Sequence, residues 1–87
     1  MPAELAWIPV QIHHGMFSSE WAVAIDTEDG IVSLFADKSI VRQEDDGSAF
    51  LQVTRMGRDA DTGLDIMLLP TECIETGTRW LRMQGVS

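Results

Sequence analysis

The residues best suited to chemistry form an aspartate-rich segment between two apolar runs, Asp59-Ala-Asp-Thr-Gly-Leu-Asp65. Acids at alternate positions present oxygen atoms in the way that a calcium-binding loop does. The match to the helix–loop–helix calcium motif is partial, because its third oxygen would fall at Gly63 and its bidentate glutamate at Pro70. We therefore interpret the segment as the tip of a β-hairpin, with a metal site as the alternative.

His13, His14 and Cys73 carry the side chains that bind transition metals. Adjacent residues of a strand point to opposite faces, so at most one of the two histidines could join Cys73 at one ion. The chain has a single cysteine, which excludes both an internal disulfide and a Cys-x-x-Cys metal pair. We expect Cys73 to be a buried, inert thiol, and we predict neither a bound metal nor another cofactor.

Cys73 is also a poor nucleophile in its sequence context. Nucleophilic catalysis needs a neighbouring base and an oxyanion site, and the thiolate must be stabilised. The flanking acids Glu72 and Glu75 disfavour the thiolate, and no glycine-rich nucleophile turn is present in the sequence. We expect no catalytic activity.

The charge balance indicates which partners the chain avoids. Fourteen acids against six bases give a net charge of −8, and this mean field repels phosphate backbones. Nucleic-acid binding would require the fold to cluster the five arginines, so it is the weaker alternative function. The bases are Lys38, Arg42, Arg55, Arg58, Arg79 and Arg82.

Cysteine usage and hydropathy indicate the compartment. A lone cysteine and the lack of a basic start followed by an apolar stretch favour the reducing cytoplasm. The apolar runs are far shorter than the roughly 20 residues that cross a bilayer. We expect a cytoplasmic protein without membrane association.

Clusters of acids and glycine divide the chain into short alternating runs. The clusters end at Gly30, Gly47 and Gly63, and such clusters are typical of turns between strands. They predict one hairpin around Gly30 and a second, longer one around residues 59–63. The predicted strands are 6–14, 21–25, 31–35, 49–56, 64–69 and 79–83, with residues 40–42 either a short strand or a helical turn.

The region before the last strand has a different pattern. Pro70 ends the preceding strand, and residues 71–75 predict a single helical turn capped by Thr71 and closed by Gly77. Five to six short antiparallel strands with one such turn, in a single domain spanning residues 1–87, resemble a small all-β barrel of the SH3-like kind. The ligand-binding motifs of signalling SH3 domains are missing at their usual spacings, so proline-rich peptide recognition is not implied. A barrel of the oligonucleotide-binding type is the alternative.

The three tryptophans have different strand phases. Trp21 aligns with apolar neighbours and is predicted to lie in the core, whereas Trp7 and Trp80 fall on faces that carry polar groups. If the first and last strands pair, Trp7, Trp80 and Arg82 form one patch of the composition enriched at protein interfaces. The strand around Met67 is apolar on both faces, so it is either central or covered by a partner.

These features predict a non-catalytic protein-interaction module. Its surface would comprise Trp7, Trp80, Arg82 and Met67, and its partner is another protein or a second copy in a homodimer. The rival from another class is an accessory subunit that binds a metal or a small molecule.

Overall fold

The fold is an all-β, antiparallel sheet. The computed structural model describes residues 4–27 and 30–83. A 3-10 helix, Lys38–Ile40, connects the third strand to the fourth. Within the described ranges, no helix is long and apolar enough to cross a membrane. The strands are β1 (Glu4–His14), β2 (Glu20–Thr27), β3 (Gly30–Asp37), β4 (Val41–Gln43), β5 (Ala49–Arg58), β6 (Asp65–Leu68) and β7 (Trp80–Met83).

The strand order is β3-β2-β1-β5-β6-β7, and β4 also pairs with β5. One edge of β5 binds β1, while its other edge binds β4 over the first residues and β6 over the last. Cα atoms of β7 come within 8 Å of those of β2, so the sheet is curled into a half-barrel. β1 therefore does not pair with the last strand, because β5 and β6 lie between them.

Both predicted hairpins are confirmed. In the β2–β3 hairpin, Thr27 pairs with Gly30, and the two residues between them lie outside the described ranges. In the β5–β6 hairpin, Arg58 pairs with Asp65 across the tip. For residues 40–42 the sequence allowed either a short strand or a helical turn. The structure has both, since the 3-10 helix ends at Ile40 and β4 begins at Val41. This short strand explains why the sheet has seven strands rather than five or six.

One face of every long strand forms the core. The alternation seen in the sequence is retained, because successive side chains of a strand point to opposite faces. Trp21 is only partly buried, but it packs against this core as predicted. The buried hydrophobic side chains among the described residues are Ile8, Val23, Ile25, Leu34, Ala36, Ala49, Leu51, Val53, Met67, Leu69, Cys73, Leu81 and Met83.

The segment between β6 and β7 contains a single turn with the hydrogen bond of an α-helix, as predicted, but it spans residues 73–77 and not 71–75. The amide of Gly77, whose φ of 68° favours glycine, donates to the carbonyl of Cys73 at 2.9 Å. Hydrogen bonds to Ser33, on the outer edge of β3, hold the turn in place. The Glu75 carboxylate accepts from the Ser33 amide and hydroxyl, both at 2.6 Å, and the Ile74 amide donates to the Ser33 carbonyl at 2.8 Å. These contacts to β3 fix the position of the turn, and its one internal bond closes it at Gly77.

A buried carboxylate ties the end of the β5–β6 hairpin together. The side chain of Asp65 is 1% exposed, and its Oδ1 lies 3.3 Å from Nη2 of Arg55 and 3.6 Å from Nε of Arg58. Its Oδ2 has no hydrogen-bond donor among the described residues. A β-bulge between Arg55 and Gly57 shifts the register, so that both arginines lie on the same side of β5 as Asp65.

Replacement of Asp65 by Asn is expected to lower the free energy of unfolding by about 1–3 kcal/mol, because a buried group loses a charge-assisted hydrogen bond from Arg55 and an ion pair with Arg58. Urea unfolding would measure the change. Asp61→Asn, at the exposed tip of the same hairpin, is the matched control and should stay within about 0.5 kcal/mol of the wild type. Equal stability of the two variants would contradict a structural role for the Asp65 charge.

The contact between Glu75 and Ser33 is expected to weaken in acid. Hydrogen bonds from the Ser33 hydroxyl and amide hold the pKa of Glu75 below its ordinary value of 4.5. A lowered folded-state pKa means that the carboxylate stabilises this contact fully above its ordinary pKa, and that the effect is lost as the pH falls through the lowered value. Hydrogen-exchange protection of the Ile74 and Ser33 amides should therefore fall on acidification.

In the variant Glu75→Gln, this protection should be low at every pH. Glu72→Gln removes a neighbouring charge without removing the bonds to Ser33, so it should retain the pH dependence of the wild type. If both variants show the same profile, the carboxylate of Glu75 does not hold the turn.

Candidate interaction surface

The strands around β5 carry a second, largely apolar set of side chains on the side opposite the core. Residues directly opposite each other on paired strands share a face, and the register gives one continuous row of Leu5, Thr54, Leu68 and Trp80. Neighbouring rows pair Trp7 with Gln52 and Ile66 with Arg82, while Phe50 lies between Pro9 and Arg42. We call this set the outer face: Leu5, Trp7, Pro9, Arg42, Phe50, Gln52, Thr54, Ile66, Leu68, Trp80 and Arg82.

The apolar side chains of the outer face are accessible. Leu5 is 69% exposed and Trp80 is 50% exposed, whereas Trp7, Phe50 and Leu68 are half-buried. The strands that bear the outer face contact their neighbours along the sheet path, and β7 also approaches β2. The exposure of Leu5 and Trp80 shows that no described helix or strand covers them. Large apolar groups thus lie side by side on a sheet face that this part of the chain leaves open.

Two arginines lie across the aromatic rings of the outer face. The guanidinium carbon of Arg42 is 5.0 Å from the ring centroid of Trp7 and 5.6 Å from that of Phe50. The guanidinium carbon of Arg82 is 5.7 Å from the ring centroid of Trp80. Distances below about 6 Å allow cation–π attraction, which orders the arginines flat against the sheet.

Each of these arginines also binds an acid at the rim. Nε of Arg42 lies 3.1 Å from Oε1 of Glu44, and Nη1 of Arg82 lies 3.0 Å from Oδ2 of Asp59. The hydrogen bond from Arg82 lowers the pKa of Asp59 below its usual value. The outer face therefore has an apolar centre and an ion pair at each end.

The structure places Trp7, Trp80 and Arg82 on one face, as the strand phases indicate, but it separates Trp7 from Trp80. Two strands lie between β1 and β7, and at about 4.8 Å per strand the rings belong to strands some 14 Å apart. Met67 does not belong to this surface, since it is fully buried. Its strand is central, between β5 and β7, so Met67 faces the core while its neighbours Ile66 and Leu68 face outward.

Sequence reasoning missed Leu5, Arg42 and Phe50. The alternation of side chains along the strand was enough to predict that Phe50 faces away from the core, because it alternates with the buried Leu51. Its proximity to Trp7 depends on the pairing of β1 with β5, and the position of Arg42 depends on the assignment of β4. Neither pairing has a local signal in the sequence.

The residues considered for metal binding do not form a metal site among the described residues and make other contacts. No group of three His, Cys, Asp or Glu side chains suited to a metal ion occurs among the described residues. The ring of His14 lies 5.7 Å from that of Trp21. In the tip, the Asp59 carboxylate accepts from the Asp61 amide at 2.9 Å and from Arg82, so its oxygens serve the turn. Burial raises the pKa of the Cys73 thiol, and the charge of Glu75 acts in the same direction.

The arginines do not gather into a single basic cluster. Arg55 and Arg58 share Asp65, and Arg79 donates to the carbonyls of Leu69 and Pro70. Arg42 and Arg82 lie at different ends of the outer face. Nucleic-acid binding would require the fold to cluster the five arginines, and this arrangement does not cluster them.

No known family model, curated protein or solved structure matches this chain. The outer face itself is therefore the basis for inferring function.

Among the three tryptophans, Trp80 should be the most accessible to a small neutral quencher. Trp7 and Trp21 are half-buried, whereas half of Trp80 is exposed. The variant Trp80→Phe should therefore lower the slope of acrylamide quenching in dilute solution, while Trp21→Phe should raise it by removing a protected ring. The reverse order would show that Trp80 is covered.

Proposed function

We propose that this chain is a non-catalytic protein-interaction module that binds its partner through the outer face. The observation that supports the proposal is the continuous row of exposed and half-exposed apolar side chains from Leu5 to Trp80. Single apolar residues are common on protein surfaces, whereas a contiguous apolar patch rimmed by polar residues is often a functional contact surface.

The composition of the outer face supports the same proposal. Tryptophan, phenylalanine and arginine are enriched at protein interfaces, whereas lysine and acids are depleted. The face contains Trp7, Trp80 and Phe50 together with Arg42 and Arg82. None of its positions is an acid, although the chain has 14 acids.

Two finer statements belong to this proposal. We class the curled sheet with the small SH3-like barrels, supported by its antiparallel strand order and by the approach of β7 to β2. We place the protein in the cytoplasm, supported by a lone cysteine that is buried as a free thiol.

A photo-crosslinking amino acid at position 80 tests the surface directly. In cells, this variant should yield a discrete adduct of defined mass, because Trp80 lies at the end of the apolar row. Position 31 is the control, since Ile31 is similarly exposed but lies on β3, outside the outer face. Adding Leu68→Glu should reduce the adduct from position 80 at least tenfold, since it places an uncompensated charge in the centre of the contact.

The proposal fails if position 80 gives no discrete adduct. It also fails if positions 80 and 31 give the same adducts, since the outer face would then not be selective. Circular dichroism of each variant would show that the sheet is retained.

A further inference from the structure

We propose that the partner on the outer face is a second copy of this chain, packed face to face as a homodimer; this inference rests on the proposed function. The two sheets would form a sandwich whose middle layer consists of the two outer faces. Sheets that pack face to face lie about 10 Å apart and bury alternate side chains of both partners.

The distribution of charge favours a second copy at this face over the outward side of the β2–β3 hairpin. Two copies, each with a net charge of −8, repel one another in most orientations. The outer face is free of acids and carries two of the six bases, Arg42 and Arg82. The outward side of the β2–β3 hairpin, in contrast, carries Glu20, Asp26 and Asp37, as the register shows. Contact through the outer face therefore keeps the acidic surfaces of the two copies apart.

The ends of the outer face are complementary to one another. Arg42 with Glu44 lies beside the start of β5, and Arg82 with Asp59 lies near its end. These positions are about 20 Å apart at roughly 3.3 Å per residue along the strand. A two-fold axis across the strands places the Arg42 end of one copy on the Arg82 end of the other, and each end supplies both a cation and an acid. A two-fold interface requires this kind of self-complementarity.

The size of the face limits the strength of the dimer. Four strands at about 4.8 Å and a length of roughly 20 Å give a projected area on the order of 400 Å² per copy. Stable interfaces bury about 800 Å² per partner. We therefore expect a reversible dimer with a dissociation constant on the order of 10 µM or weaker.

Sedimentation equilibrium of the whole chain across a concentration series, from about 1 µM to several hundred micromolar, tests the inference. The wild type should pass from monomer to dimer. Leu68→Glu should raise the dissociation constant at least tenfold. Phe35→Glu is the matched control: it makes the same change of charge at an exposed position of β3, outside the outer face, and its dissociation constant should remain near that of the wild type.

Trp80→Glu provides a second outer-face variant in case Leu68→Glu does not fold, since Trp80 is half exposed and its replacement leaves the core intact. It should raise the dissociation constant in the same direction. Urea unfolding in the monomeric concentration range would show that each variant has retained its fold.

The possible results separate this inference from the proposed function. A dimer that both outer-face variants leave unchanged uses another surface and overturns the inference. A wild type that is monomeric throughout, while position 80 still crosslinks to a different protein in cells, overturns the second copy and leaves the interaction surface standing. A monomer that gives no discrete adduct from position 80 overturns both.

Discussion

The alternation of side chains along β5 is the constraint on which the other features of the molecule depend. β5 pairs with β1 on one edge and with β4 and β6 on the other, so its register determines which residues of all these strands share a face. A shift of one residue would exchange the buried Leu51 and Val53 with the outward Phe50 and Gln52. The core and the outer face are thus two consequences of one register.

The bulge before Gly57 changes this alternation near the end of β5. If the same sequence alternated regularly from Arg55 onward, Arg58 would lie on the opposite side of the strand from Asp65. With it, Arg55 and Arg58 share the buried carboxylate, and the hairpin tip brings Asp59 next to Arg82. The aspartate-rich tip, whose spacing suggested metal ligands, therefore serves mainly to hold arginines and to shape a turn.

Local features of the sequence were sufficient to predict the strands and both hairpins. Their turns contain residues with specific backbone preferences, and hairpin partners are neighbours in the sequence. The pairing of β1 with β5 joins distant segments and depends on how the sheet curls, so the sequence did not reveal that Phe50 and Arg42 lie beside Trp7. Met67 was a different case: both faces of β6 are apolar, and the pattern cannot show which one is inside.

The segment from Pro70 to Arg79 shows a further limit. Thr71 and the nearby acids are typical of a helix start, but the one turn with an α-helical hydrogen bond begins two residues later, at Cys73. The Glu75 carboxylate, which would favour the start of a helix, instead accepts two hydrogen bonds from Ser33. That outcome depends on the position of β3, which the segment itself does not encode.

The attachment of this segment to Ser33 also divides the free edge of the sheet. β3 lies at one end of the sheet path, and an eight-residue edge strand can act as a template for strands of other chains. Ser33 occupies the middle of that edge, and Ile74 and Glu75 occupy its outward carbonyl and amide. An incoming strand needs several consecutive backbone bonds, and only short stretches remain on either side of the occupied residue. The turn between β6 and β7 thus shortens the stretch of β3 with which a strand of another chain could pair.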